Sequence, residues 1–184
     1  MGISISKKRS TKIMELVVLV DKSDNAIGHM EKQEAHLKGL LHRAFSVFIF
    51  NSKNELLLQK RALDKYHSGG LWTNTCCSHP RKNETVLNAA NRRLMEEMGM
   101  SCKLTPKFSF IYKAKLDNNL YEHEFDHVFF GFSDTLPILN KNEVDSFSYK
   151  SLDFISKDML SNPNNYTEWF KICYNEVLKN ISNR

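Results

Sequence analysis

Apolar and polar residues alternate in short runs through much of the chain, the period-two signature of strands, and change to helical spacing in two stretches. Ile13 to Val20 is an apolar run interrupted by Glu15 and reads as the first strand. "DKSDNAIG" (21–28) then turns the chain, and "HMEKQEAHLKG" (29–39) is polar. "LHRAFSVFIF" (41–50) reads as an apolar strand that turns at "NSKN" into "ELLLQKRA" (55–62), giving a hairpin. "HSGG" breaks the chain before "LWTNTCCSH" (71–79). Residues 83–99 place apolar or small side chains at Val86, Leu87, Ala89, Ala90, Leu94 and Met98, with Gly99 as the stop, and predict a helix. "KFSFIYKAKL" (107–116) and "YEHEFDHVFFGF" (121–132) predict two more strands. A looser strand pattern covers Ser146 to Leu152, and a helix around Tyr166 to Leu178 closes the chain. Strands first, a helix in the middle and a helix last predict an α/β (α+β) fold, a mixed sheet with helices on both faces.

Length and composition narrow this picture. The chain has 184 residues, 41% of them apolar and 26% charged, enough to bury a core. No repeat, low-complexity tract or Pro/Gly/Ser-rich linker divides it, so residues 1–184 are read as one domain. A net charge of +5 calls for an anionic partner. The Lys and Arg residues are scattered, with no basic block interleaved with stacking aromatics, which argues for a small phosphorylated ligand and against nucleic acid. "MGISIS" matches the myristoylation pattern at Gly2, a pattern short enough to arise by chance. No segment reaches the apolar length of a membrane span, and the expected setting is the cytoplasm. Cysteines 76, 77, 102 and 173 are irregularly spaced, and a bridge between neighbours Cys76 and Cys77 would strain the backbone. Disulfides and structural zinc are therefore not expected.

Three groups of residues carry chemistry. On an extended "TNTCCSHP", Cys77 and His79 share one face while Cys76 and Ser78 take the other, so the adjacent thiols have different surroundings. One reading makes both thiols small buried hydrophobes, the other makes one of them a reagent. In "YEHEFDHVFF" the same alternation aligns Glu122, Glu124 and Asp126. If the strand is a solvated face they need no partner; near a core, as Phe129 and Phe130 suggest, they need a cation or a shared proton. His36, His42 and His79 come from three segments and, with two carboxylates, would make an octahedral-type site for a divalent metal.

In the helix, Glu84, Arg92, Glu96, Glu97, Gly99 and Met100 resemble the latter part of the Nudix box, in which helix carboxylates hold magnesium against a diphosphate. Arg93 and Glu97 are also spaced for a simple ion pair. Ser78 stands where the box has its leading Gly, and Arg93 replaces the Glu expected after Arg92, which implies a Nudix fold with altered chemistry. Taken together, "LHRAFSVFIFN", "LLLQKRALDKYHSGGLWTNTCCSHP", "RRLMEEMG" and "YEHEFDHVF", in this order from about Val20 to Trp169, resemble the type I isopentenyl-diphosphate isomerases.

That resemblance implies a Nudix-type sheet sandwiched between helices and the interconversion of isopentenyl and dimethylallyl diphosphate through a tertiary carbocation. It makes Cys77 and Glu124 the catalytic pair on opposite faces of the substrate. Glu124 with Tyr112 is assigned to protonation and Cys77 to deprotonation, with the reverse division left open. It implies one divalent ion (magnesium, manganese or zinc) on His36, His42, His79, Glu122 and Glu124. A magnesium is implied on Glu97, the Cys77 carbonyl and the substrate diphosphate. Lys32, Arg61, Lys65 and Arg93 match the diphosphate grip, and Trp169 the wall of the hydrocarbon pocket, its competing reading being a core aromatic. His29, His67, His123 and His127 receive no role. The rival readings are a Nudix pyrophosphohydrolase and a metal-stabilised diphosphate-binding module; neither needs a thiol facing a carboxylate.

Overall fold

The strand β3 (His42–Phe50) is apolar on both faces: Phe45, Val47 and Ile49 point one way, Phe48 and Phe50 the other, and all five are fully buried. Such a strand is stable only with layers on both sides, and the remaining elements supply them. The computed structural model describes residues 15–182. Ile13 and Met14 of the expected first strand, and Gly2, lie outside the described residues.

Along one edge β3 pairs in parallel with β8 (Tyr121–Phe132) over its whole length, and β8 pairs antiparallel with β7 (Thr105–Lys115). The other edge of β3 is shared by three strands in turn. β1 (Leu16–Val20) meets it at Leu19↔His42, β6 (Cys76–Ser78) at residues 45–47, and β4 (Leu56–Arg61) at Phe50↔Leu56. The expected hairpin therefore separates directly after its turn. Asn51 closes that turn by accepting the backbone N–H groups of Lys53 and Glu55, and Asn54 takes the left-handed conformation. β4 continues to β5 (Trp72–Thr73) and β9 (Val144–Lys150).

Helix α2 (Val86–Met98) buries Ala89, Ala90, Leu94 and Met98 against Phe45, Val47, Ile49 and Leu57. On the opposite face α4 (Glu168–Ser182), with α3 (Leu152–Ser161), packs Ile155, Trp169, Phe170, Tyr174 and Val177 against Phe48, Phe50 and Phe130. Each fully buried side chain of this size contributes about 1.5–3 kcal/mol. The sandwich expected from the sequence is thus present.

Three segments depart from expectation. The turn ends earlier than expected: Ala26–Glu31 forms β2, the hairpin partner of β1, an edge strand whose largely exposed residues give no apolar alternation. The polar stretch after it contains α1 (Lys32–Lys38), seven residues whose buried positions are Ala35 and His36, so its inward face is written with a histidine. α3 buries fully only Ile155, too little for a periodic signal.

Gly99 ends α2 at φ 61°, and an added Cβ there would lie 2.6 Å from the Ile138 carbonyl oxygen. Gly99→Ala is expected to destabilise the protein by more than about 1 kcal/mol, read as a lower urea midpoint; an unchanged midpoint would contradict this packing.

Candidate active site

The face of the sheet that carries α4 changes character along each strand. On β8 it presents Glu122, Glu124 and Asp126, then Val128 and Phe130; on β3 it presents His42 and Ser46, then Phe48 and Phe50. The polar end is closed off by the loop after β4 and by Trp169, leaving a cavity lined by Arg61, Cys77, His79, Tyr112, Glu122, Glu124 and others. All three carboxylates of β8 are buried. They are therefore not a solvated face, and the surroundings must compensate their charge.

The compensation is specific. Tyr112 stands opposite Glu124 in the β7–β8 register; its hydroxyl lies 2.6 Å from Glu124 Oε2, to which it donates, and 2.9 Å from Glu122 Oε2. On its other side Glu124 Oε1 lies 2.9 Å from His79 Nε2 and 3.5 Å from His42 Nε2. These imidazoles hold Glu124 well below the usual carboxylate range even against its desolvation. Glu122 has no such partner, and desolvation with the Glu124 charge pushes it well up. The two carboxyls are thus pushed in opposite directions, Glu122 toward its protonated form and Glu124 toward its ionised form. Burial lowers His79 to about 3, against the pull of the Glu124 carboxylate.

The histidines are oriented for metal. His36 Nδ1 lies 2.6 Å from the Lys32 carbonyl and His42 Nδ1 2.8 Å from the Leu40 carbonyl, each fixed as the donor nitrogen, which leaves Nε2 free as the ligand atom. His42 Nε2 and His79 Nε2 are 3.2 Å apart, and the fully buried His36 Nε2 has no hydrogen-bond partner. Ligand atoms of His36, His42, His79 and Glu124 all lie within 4.8 Å of one another, and this set fits a divalent ion. Glu122, expected in the same shell, lies beside this set, with a ligand atom within 4.8 Å of those of His36 and His67.

The "CCS" strand sits as its alternation predicts. Cys76 is buried in the core beneath α2, and Cys77, paired with Ser46, faces the cavity together with His79. All four cysteines are free thiols. Desolvation pushes the Cys77 thiol up, with Arg61 opposing and the nearby carboxylates adding to it, so the thiol is neutral in the free protein.

Lys32, Arg61, Lys65 and Arg93, expected to grip an anion, all line the cavity, and three of them are engaged by carboxylates. Arg93 Nη2 lies 2.6 Å from Glu97 Oε1 and 3.2 Å from Glu143 Oε2, Lys65 pairs with Glu143 at 2.5 Å, and Lys32 with Glu15 at 3.3 Å. The other Glu97 oxygen accepts from Gln59 at 3.0 Å. The Arg93–Glu97 ion pair allowed by the helix spacing therefore forms. Arg61 lies over the Trp169 ring at 5.1 Å, with its Nε unpartnered. Trp169 packs in the α4 core and also lines the cavity, with its indole N–H on Asn74 Oδ1 at 3.3 Å. Glu84, Arg92 and Glu96 pair among themselves at the start and outer face of α2. Gln59, His67 and Glu143 also line the cavity; no local pattern in the sequence marks them.

With this geometry in place, comparison with known proteins is informative. A family model described as NUDIX domain matches residues 40–170. The isopentenyl-diphosphate Delta-isomerase of Pectobacterium atrosepticum is 55% identical over 161 residues, covering 88% of this chain and 90% of that protein. Isopentenyl-diphosphate Delta-isomerase 2 of Photorhabdus laumondii is 54% identical over 157 residues, covering 85% and 89%. Among solved structures, a MutT protein from Methanosarcina mazei superposes with a TM-score of 0.61 at 17% identity, over 74% of this chain and 91% of that one. A MutT NUDIX hydrolase from Burkholderia pseudomallei gives 0.59 at 18%, over 74% and 98%. At such identities these two structures bear on the fold alone.

The third carboxylate, Asp126, accepts from Ser46 Oγ at 2.8 Å, leaves Oδ1 buried without a partner, and is raised by desolvation and Glu124 to about 8. Its folded value exceeds its ordinary 3.8, so the folded state binds the extra proton. The stability it contributes is full below 3.8 and is lost as pH rises through 8. In chelator, the urea midpoint of the wild type is expected to fall relative to Asp126→Asn between pH 5 and 8, in the window bounded by these two values; parallel profiles would contradict it.

Proposed function

This chain belongs to the isopentenyl-diphosphate Delta-isomerase family, built on the Nudix fold, and interconverts isopentenyl and dimethylallyl diphosphate; we propose that Cys77 and Glu124 do so from opposite sides of the substrate. The observation that carries the reading is that a thiol on β6 and a carboxylate on β8, strands on the two edges of β3, line one cavity. An unactivated alkene is a poor base and needs a positioned acid on one side and an acceptor on the other.

In the isopentenyl to dimethylallyl direction, Glu124 with Tyr112 delivers a proton to the terminal alkene carbon, and Cys77 takes one from the allylic carbon. Tyr112 and the neutral Glu122 beside Glu124 are the proton store for that side. The neutral thiol and ionised Glu124 of the free site are the state left by one such turnover, and the state from which the reverse direction starts. Each group is therefore acid in one direction and base in the other. Trp169 gives an aromatic wall to the intervening cation, an interaction of about 0.5–2 kcal/mol.

His36, His42, His79 and Glu124, with Glu122 adjacent, would hold one divalent ion. Glu97 and the Cys77 carbonyl would hold magnesium with the diphosphate. When bound, these ions supply fixed positive charge beside Glu124 and the substrate oxygens. Arg61, Lys32, Lys65 and Arg93 bind the diphosphate; the last two exchange their internal carboxylate partners for it. Residues 1–184 act as one isomerase domain, a reading supported by the 40–170 match. No helix among the described residues is long and apolar enough to cross a membrane, and the free thiols suit a reducing cytoplasm.

Cys77→Ala is expected to lower turnover by at least about a hundredfold with little change in diphosphate binding. Cys76→Ala, altering the thiol under α2, retains most activity. Equal losses in steady-state assays of the two variants would remove the assignment of the reagent to one face.

A further inference from the structure

A row of aromatic rings runs along one wall of the cavity. Tyr66 and His67, from the loop between β4 and β5, meet edge-on with centroids 4.3 Å apart, and His67 meets Trp169 of α4 edge-on at 5.9 Å. Exposure falls inward along the row, from 37% at Tyr66 to 6% at His67 and 2% at Trp169. Cations brace both ends. Lys32 Nζ lies 5.5 Å from the Tyr66 ring centroid, and Arg61, over the Trp169 ring, donates from Nη2 to the His67 carbonyl at 3.3 Å. The loop is folded tightly behind the rings: a Cβ added at Gly69 would stand 2.5 Å from the Leu63 carbonyl oxygen.

The row lies where the cavity changes from wet to dry. At the diphosphate end Lys32, Lys65 and Arg93 keep 21, 21 and 18% of their side chains exposed. At the other end Cys77 packs against the apolar cluster that contains Trp169. Desolvation, the largest influence on both groups, lowers His67 to about 2 and pushes the Tyr66 hydroxyl up, which puts these two rings on the dry side. A tertiary cation formed beside Cys77 has two fates. Loss of a carbon-bound proton gives an alkene; addition of a water oxygen, followed by loss of a proton from that oxygen, gives a tertiary alcohol. Access of water to the cation selects between them.

On the carbocation route proposed above, we propose that Tyr66 and His67 extend the Trp169 wall into a seal that keeps water from the cation, so that the site isomerises its substrate rather than hydrating it. The same contacts could serve only to pack the loop onto α4. The two roles differ in consequence: loosened packing slows turnover, whereas a broken seal changes the product.

Incubation with isopentenyl diphosphate and magnesium in 18O-labelled water separates them, with mass spectrometry giving labelled 3-hydroxy-3-methylbutyl diphosphate as a share of all product. The wild type is expected to form dimethylallyl diphosphate with at most a trace of the alcohol. His67→Ala is expected to raise the alcohol share by at least about tenfold, and Tyr66→Ala to move it in the same direction. His67→Phe, which keeps a ring, is expected to restore the wild-type share. Circular dichroism confirms the fold; should His67→Ala fail to fold, Tyr66→Ala, at the exposed end of the row, decides the point alone. An unchanged alcohol share in variants that still turn over, a share in His67→Phe as high as in His67→Ala, or folded variants that form neither product would each overturn the seal. Absence of dimethylallyl diphosphate with the wild type would instead contradict the route on which the seal rests.

Discussion

The site depends on how the sheet tolerates a split. β3 and β4 part directly after their turn, which would leave backbone groups of both strands buried and unpaired, each at a cost of about 1–3 kcal/mol. The segment Thr73–Asn74–Thr75 fills the gap with side chains. The Thr75 hydroxyl donates to the Leu57 carbonyl of β4 at 2.6 Å and accepts the Ile49 N–H of β3 at 2.9 Å. The Asn74 amide donates to the Val47 carbonyl of β3 at 3.2 Å and to the Cys76 carbonyl at 2.8 Å, while its oxygen receives the Trp169 indole. Thr73 bonds to Thr167 at the head of α4. One short polar run thus stitches two strands and a helix together. It also delivers the next residues, Cys76 and Cys77, to the middle of β3 in fixed register.

From that register the division of labour follows. The side of the strand on which a residue falls decides whether a thiol meets the α2 core or the cavity, and the same parity on β8 sends three carboxylates into it. Burying so much charge is unfavourable unless each group is paired. The free protein does this by internal pairing: Glu122 and Tyr112 flank Glu124, the histidines face its other oxygen, and Arg93 and Lys65 rest on Glu97 and Glu143. An anionic substrate competes for cations already in position, and a metal ion for imidazole nitrogens already turned inward.

Much of this could be read in the chain. A continuous apolar run located β3, alternation located β7 and β8, the small apolar positions of 86–98 located α2, and parity alone separated Cys76 from Cys77. What escaped did so for physical reasons. β2 is an edge strand with an exposed face, α1 buries a histidine where a pattern reader looks for an aliphatic residue, and α3 rests on a single buried Ile155. Site residues recognised by motif were brought together, but the motif did not show that Arg93 would lie on Glu97 or that Glu122 would turn toward His67. Those arrangements depend on residues far apart in sequence, such as Glu143, which comes from the loop before β9 and carries no local signal.

The central claim is proton exchange at two carbons of the substrate without cleavage of its diphosphate. Incubating the protein with isopentenyl diphosphate and magnesium in deuterated water, and following the products by mass spectrometry and NMR, tests it most directly. The account predicts dimethylallyl diphosphate carrying deuterium, with no phosphate or pyrophosphate released. Phosphate release, or conversion without deuterium uptake from solvent, would contradict it.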